Sequence, residues 1–406
     1  MNMQSFYFRL SYILIALFFF ACSNYEGFNS SEWEKKRDYL PIDDTEYPYA
    51  GIPRIVIETE NFRQIRDRET EIPAKLQIWG EKAPESDVID LTIRGRGNIT
   101  WLYPKPSYAI KFNQKQAFLG MPKAKKWVML ANYRDRTLIR NALAFEIARQ
   151  TSQKWVPQGK FADVFLNKRF IGNYYICEKI EAKQTRLNLS TNDFLLEFDT
   201  HFDSEYKFVS YYKKLPVNIK YPNSLTQESF SYIHAYIDSI ECVLYKDCKN
   251  TDIRKFIDLQ SLASYWIVQE VTQNLEITYP KSVYAYKDSI LQFGPVWDFD
   301  WQTFTSKKKG LGAKDALWLK PLRENKNFRN IVRSEWDNCK KRLSNLIVFI
   351  DSLADYIKIS NEQNTNRWRT SISDDLAGDE DLSTDSAIQL MKNVYLNRLN
   401  ELDSLF

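Results

Sequence analysis

Two aspartates alternate with aromatic residues in the segment Trp297–Trp301 (WDFDW), a pattern that suits metal binding. On an extended backbone successive side chains point to opposite sides, so the carboxylates of Asp298 and Asp300 would share one side. Mg²⁺ takes few protein carboxylates and keeps waters and phosphates as its other ligands, so one such pair is a sensible site. The alternative is a capped turn whose aspartates are solvated.

A second candidate is the segment Arg94–Gly97 (RGRG), the one glycine-dense stretch that lies beside a strand-like run. Backbone amides next to small residues, together with the guanidinium groups of Arg94 and Arg96, could hold phosphate oxygens. An equally supported interpretation is a turn in which glycine supplies a positive φ and the arginines form structural ion pairs.

The composition excludes several classes of protein. The chain has 406 residues, with 56 Lys and Arg against 52 Asp and Glu, and a formal charge of +4 is too even to indicate nucleic-acid binding. Its two histidines, His201 and His234, exclude a three-histidine zinc site. Glycine is scarce, and no dinucleotide-binding, P-loop or nucleophile-elbow motif occurs.

The amino terminus predicts export. Residues 1–21 fit a signal peptide, because Ile13–Ala21 is an apolar run that is too short to span a bilayer. The run ends at Ala21-Cys22, which is similar to a bacterial lipoprotein processing site. We therefore expect lipidation at Cys22, a tether over residues 22–50, and a membrane-anchored protein of the cell envelope, periplasmic or at the cell surface. An ordinary signal peptide is the alternative.

The remaining chain divides into a strand-rich part over residues 51–200 and a mainly helical part over residues 201–406. Strands are predicted where apolar residues alternate: 54–58, 88–93, 108–112, 127–131, 161–166, 171–177, 194–198, 283–286 and 291–293. Helices are predicted over 137–150 and 253–273, and again past residue 325. The order of elements predicts an α+β fold. In an exported chain, Cys242 and Cys248 could close a small disulfide loop.

Several segments, in the right order, resemble the CotH kinase family (spore coat protein H-like). They are IRGRGNITW at 93–101, KPSYAIKF at 105–112, LGMP at 119–122, WVMLANY at 127–133, LIRN at 138–141, YICEKI at 175–180, FLLEFD at 194–199 and GPVWDFDW at 294–301. The resemblance implies an atypical protein-kinase-like two-lobed fold. A strand-rich N-lobe and a helical C-lobe would enclose ATP with Mg²⁺ or Mn²⁺.

The resemblance also implies roles for individual residues. Lys111 would contact the nucleotide and Glu146 would pair with it, although the residues alone favour a solvated strand lysine at position 111. Asp298 and Asp300 would hold the metal. At the position where the family usually has a catalytic aspartate, this chain has Glu276, whose carboxylate would lie about 1–1.5 Å away because of its extra methylene, a displacement that can cost 100-fold in rate.

Three functions are consistent with the sequence. The first is an exported kinase that phosphorylates Ser or Thr of secreted or surface proteins. The second is a catalytically inactive relative that acts as a surface binding or assembly module. The third is a carbohydrate-active enzyme that uses Asp298 and Glu276 as paired carboxylates.

Overall fold

The computed structural model describes residues 39–245, 248, 251–368 and 378–406, so the predicted signal peptide and Cys22 lie outside the described residues. Within this part, strands occupy the amino-terminal half and helices follow toward the carboxyl end, as an α+β fold requires. No helix within the described ranges is long and apolar enough to cross a membrane.

The first seven strands form a closed barrel. They are β1 (Arg54–Thr59), β2 (Ile72–Trp79), β3 (Ile89–Arg96), β4 (Ser107–Phe118), β5 (Met121–Leu130), β6 (Gly159–Leu166) and β7 (Arg169–Glu178). Their order is β1-β2-β3-β4-β5-β7-β6, and β1 pairs in parallel with β6 to close the ring, whereas every other pair is antiparallel. Alternate side chains fill the interior, where Leu76, Phe112 and Trp127 are fully buried.

Five further strands form a second, antiparallel sheet. They are β8 (Phe194–Phe198), β9 (Lys207–Val209), β10 (Pro216–Tyr221), β11 (Val283–Lys287) and β12 (Leu291–Phe293), in the order β12-β11-β8-β10-β9. Strand β8 was expected to end the strand-rich part near residue 200, and it instead stands at the centre of the sheet that belongs with the helices.

Eight helices complete the described residues. They are α1 (Arg140–Arg149), α2 (Gln227–Tyr245), α3 (Leu259–Thr272), α4 (Leu319–Glu324), α5 (Lys326–Ser344), α6 (Leu346–Tyr356), α7 (Lys358–Arg367) and α8 (Thr384–Leu405). Helix α3 is buried on nearly all sides, since it packs against the second sheet and against α1, α5 and α8. A disulfide joins Cys242 to Cys248, as the spacing suggested.

The local predictions agree with the structure more closely than the long-range ones. The hairpin between β6 and β7 turns at Asn167 and Lys168, both with positive φ, as a tight hairpin turn requires. The single helix expected over 253–273 is wrong: a short 3₁₀ turn precedes α3, because Asp258 caps the helix by accepting hydrogen bonds from the amides of Gln260 and Ser261. The strands close into a seven-stranded barrel, so the kinase-like arrangement of two lobes stays a proposal.

Candidate functional site

A cleft of about 630 Å³ lies where the end of β3 and the residue after β7 face the second sheet. Its lining combines cations, carboxylates and aromatic rings in one space. The cations are Arg94, Arg96, Arg134, Lys179, Lys220 and Lys281; the acids are Glu197, Asp199, Asp203, Glu276, Asp298 and Asp300; the large aromatics are Tyr103, Tyr284, Trp297 and Trp301. Two candidates from separate parts of the sequence, the RGRG segment and the WDFDW segment, therefore meet here.

Glu276 reaches the cleft because helix α3 stops abruptly. Gln273 takes a left-handed conformation, with φ 54°, and Asn274 then caps a 3₁₀ turn over Leu275–Ile277 by accepting a hydrogen bond from the Glu276 amide at 3.1 Å. The sequence placed this acid just after the long helix, and the structure does the same. The Glu276 carboxylate lies 3.8 Å from the ammonium group of Lys281.

Asp298 is held in place by three neighbours. The hydroxyl of Ser282 donates to its carboxylate at 3.3 Å, and the Asn274 amide group donates to its backbone carbonyl at 3.2 Å. The next amide, that of Phe299, donates to the side-chain oxygen of Asn141 on α1 at 3.0 Å. Asp298 itself has φ 70°, a conformation that a non-glycine residue keeps only when its surroundings fix it.

The carboxyl groups of Glu276, Asp298 and Asp300 repel one another. Burial, followed by the charge of Asp298, raises the pKa of Glu276 to about 8 and that of Asp300 to about 7. Burial also raises the pKa of Asp298, while the nearby Arg96 guanidinium acts in the opposite direction. Three acids so close together favour the binding of a positive ligand such as a divalent cation, which would stabilise their ionised forms.

The same cleft also contains cations. The Arg96 guanidinium lies 5.1 Å above the Trp297 ring, and within the described chain it makes no hydrogen bond or ion pair. Burial, together with Lys126 and the two arginines of the RGRG segment, lowers the pKa of Lys179 to about 8. Among the described residues, neither Arg96 nor Lys179 has a hydrogen-bond acceptor. Both are therefore available to an anion with several oxygens, such as a phosphate chain.

The glycines of the RGRG segment have the backbone role that the turn interpretation gives them, while phosphate binding by its arginines stays a prediction. Gly97 has φ 101°, and a Cβ on Gly95 would clash with the Trp101 ring, so the glycines serve backbone geometry and close packing. Arg94 donates to the backbone carbonyls of Arg68 and Gly95, the latter at 3.2 Å, so part of its guanidinium group stabilises the fold. Arg96 also lines the cleft, and among the described residues no hydrogen-bond acceptor pairs with its guanidinium group.

Two predicted nucleotide-binding residues lie outside the cleft, which corrects the expected pairing of Lys111 with Glu146. Lys111 is a half-exposed residue of β4, and its ammonium group pairs with Glu71 at 3.2 Å. Glu146 on α1 pairs instead with Arg149 at 3.1 Å. The physical reason is the barrel: residue 111 lies on its outer face, beyond the part that the second sheet covers.

Sequence reasoning missed Lys179, Asp199 and Asn141 as parts of the site. All three lie inside segments that carried the family resemblance, yet no role had been assigned to them. Asp199 follows β8 and accepts a hydrogen bond from the Ser282 amide at 2.9 Å, which positions the Ser282 hydroxyl against Asp298. Two of the three, Lys179 and Asp199, are charged residues that directly follow a buried strand, and this was the signal available in the sequence.

A metal ion in this cleft would depend on ligands from outside the protein. Within the described part of the chain, no group of three or more His, Cys, Asp or Glu side chains is placed to hold a metal. Mg²⁺ is commonly bound by one or two carboxylates plus substrate phosphates, and the hard oxygen donors of Asp298 and Asp300 fit that pattern.

The chain matches a known protein family over the region that contains the cleft. The family model described as CotH kinase protein matches residues 93–402, which is most of the chain and includes every cleft residue named above. No curated protein matches the chain.

Proposed function

The chain belongs to the CotH kinase protein family, and from that premise we propose that it is an ATP-dependent kinase acting on Ser or Thr hydroxyls of exported proteins. In this proposal the barrel and the helical part correspond to the N-lobe and C-lobe of a kinase-like fold. The observation that carries the proposal is that one cleft brings together the cations Arg96 and Lys179 and the carboxyl groups of Asp298 and Asp300.

A cleft that holds both cations and carboxyl groups suits a nucleoside triphosphate with its divalent cation. Phosphoryl transfer involves little covalent chemistry by the protein, so positioning and charge stabilisation dominate. Arg96 and Lys179 would bind phosphate oxygens through charge-assisted hydrogen bonds, and Trp297 beneath Arg96 keeps that guanidinium in place. The volume of about 630 Å³ is within the range of small-molecule pockets.

Asp298 and Asp300 are the residues that would hold the divalent cation. When bound, Mg²⁺ or Mn²⁺ would neutralise charge on the phosphates and stabilise the ionised form of the neighbouring carboxyls. The chain prepares this place through Ser282, Asn274 and Asn141, which fix the backbone and carboxylate of Asp298 before any ligand arrives.

Glu276 is the proposed base. Its carboxylate would accept the proton of the attacking hydroxyl as the oxygen bonds to the γ-phosphorus and the bond to the ADP leaving group breaks. Lys281, 3.8 Å away, favours the ionised form that this step needs.

An inactive binding module is the second candidate, and one observation favours it. The same Lys281 ammonium group that favours the ionised form of Glu276 also competes for its carboxylate, and the longer glutamate side chain displaces the base. A module of this kind would retain the cleft and bind nucleotide without transferring phosphate.

Thermal denaturation of the exported part of the chain with ATP and Mn²⁺ tests the proposal. Wild-type protein should melt a few degrees higher with both ligands than with either alone, because ligand binding to the folded state raises its stability. Asp298→Asn should lose that shift, and the exposed control Asp315→Asn should keep it. A wild-type protein without any shift at saturating ATP would remove nucleotide binding from the function.

The site of action is a separate proposal. We infer from residues 1–22 that the protein is exported and anchored through lipidated Cys22 in the cell envelope, where it would meet protein substrates or surface partners. Because extracellular compartments hold little ATP, phosphorylation would occur before or during export.

A further inference from the structure

A row of three lysines runs from the cleft onto the outer face of the barrel. Lys111 on β4 lies directly opposite Lys126 on β5 in the antiparallel register. Trp127 on β5 lies opposite Glu178 on β7, so the next position along the ladder places Lys126 beside Lys179. Directly opposite residues of neighbouring strands share one face, and their Cβ atoms lie about 5 Å apart. We call Lys111, Lys126 and Lys179 the lysine row.

The lysine row carries positive charge that the neighbouring carboxylates neutralise only in part. Like charges directly opposite one another destabilise a sheet, so an uncovered row is a cost to the fold. Glu71 pairs with Lys111 at 3.2 Å, and Glu181 is close enough to Lys179 to act on its charge. In the described structure the ammonium group of Lys126, between them, makes no hydrogen bond or ion pair.

We infer that the lysine row binds an acidic segment of the protein substrate and guides it into the cleft, an inference that rests on the proposed function. Neighbouring strands lie about 4.8 Å apart, so the row extends about 10 Å from Lys179 to Lys111. Residues on one face of an extended peptide repeat every 6.8 Å or so. Acidic residues at alternate positions, roughly two to five residues from the acceptor hydroxyl, would therefore meet Lys126 and Lys111.

The shape of the row favours a peptide over a nucleic acid or a membrane. The carboxylates of Glu71 and Glu181 lie beside the two ends of the row. A broad polyanion would be repelled by those carboxylates, whereas a narrow strand of peptide can place its acids on the lysines alone. The row also begins at Lys179 in the cleft, where the acceptor hydroxyl would have to lie.

Peptide binding without nucleotide tests the inference directly. A fluorescent peptide with one serine and alternating glutamates is compared with the same peptide carrying glutamines, by anisotropy. We expect the acidic peptide to bind wild-type protein about tenfold more tightly, and the double variant Lys111→Glu/Lys126→Glu to lose that preference. The matched control Lys255→Glu/Lys320→Glu, which reverses two exposed lysines elsewhere, should keep it.

Several outcomes would overturn the inference. Equal affinity of wild-type protein for the two peptides would overturn it. So would an equal preference for the acidic peptide in the two double variants. Tighter binding of a single-stranded oligonucleotide or of anionic phospholipid vesicles, lost in Lys111→Glu/Lys126→Glu, would assign the row to another kind of partner. The melting shift with ATP and Mn²⁺ separates this result from the proposed function: its absence in wild type refutes the kinase alone, and selective peptide binding would still support the row as a docking surface.

Discussion

The backbone amide of Phe299 donates a hydrogen bond to the side-chain oxygen of Asn141 at 3.0 Å, which ties the acid segment of the cleft to helix α1. The side-chain NH₂ group of Asn141 in turn donates to the side-chain oxygen of Asn132 at 2.9 Å. One buried asparagine thus connects the turn after β5, the first helix and the residue between the two proposed metal ligands. Residues that carried the family resemblance without an evident role are here the supports of the site.

Asn141→Leu should weaken binding of ATP with Mn²⁺ by about tenfold, because the acid segment loses the acceptor that fixes its backbone. The lost bonds also leave buried groups unsatisfied, at a cost of about 1–3 kcal/mol in the free energy of unfolding. Asn361→Leu is the matched control, since Asn361 is equally buried and donates to the Thr137 carbonyl away from the cleft. Equal ATP affinity in both variants would show that Asn141 only stabilises the fold.

Lys179→Met should weaken ATP binding by about tenfold or more, since charge-assisted hydrogen bonds to phosphate contribute about 1.5–3 kcal/mol. Lys111→Met should leave ATP affinity within about twofold, because an exposed pair such as Lys111 with Glu71 contributes little. Isothermal titration of both variants with ATP and Mn²⁺ is the measurement. The reverse order of effects would restore the first sequence-based assignment.

The contrast between these two lysines shows what the sequence can and cannot predict. The strands were predictable because apolar residues alternate along each of them. Which strand lysine faces a cleft depends on where the second sheet covers the barrel, a contact between residues far apart in the chain. The closure of the barrel by β1 and β6 is long-range in the same way. Asp298 was a candidate because it alternates with aromatic residues, and Glu276 because it stands where the family usually has an aspartate.

Cys22→Ser should block acyl labelling of the protein and release it from the membrane fraction. The reason is that the Ala21-Cys22 junction offers the only sulfur next to the apolar run, and loss of the acyl chains removes the anchor. Metabolic labelling with a fatty-acid analogue, followed by membrane fractionation, is the measurement. Persistent labelling and membrane association of the serine variant would show that another feature anchors the chain.

Lys105 should make the stability of the protein rise with pH. Its ammonium group is buried, donates to the Ala131 carbonyl at 2.7 Å, and has a pKa lowered by burial from 10.5 to about 7. Between these two values the folded state binds fewer protons than the unfolded state, so the free energy of unfolding increases with pH, by at most about 1.4 kcal/mol per unit. Asp163, whose pKa burial raises to about 6, titrates below this window.

Urea denaturation of wild-type protein and Lys105→Met at several pH values between about 7 and 10 checks this pH dependence. The difference between their free energies of unfolding isolates the contribution of Lys105 from those of Lys179 and other titrating residues. The advantage of wild type over the variant should grow as the pH rises. A constant difference across the range would mean that Lys105 stays charged in the folded protein.

Glu276 decides between the active kinase and the inactive module. If its carboxylate is the base, Glu276→Gln should remove phosphate transfer to a generic protein substrate, because the amide cannot accept the proton. Glu276→Asp should raise turnover if the extra methylene displaces the carboxylate from the attacking hydroxyl. Nucleotide binding should survive in both variants, since the base contacts the hydroxyl rather than the phosphates. Equal, non-zero transfer by wild type and Glu276→Gln would take Glu276 out of the mechanism, whereas no transfer by wild type or either variant, with ATP binding intact, would make the protein a nucleotide-binding module.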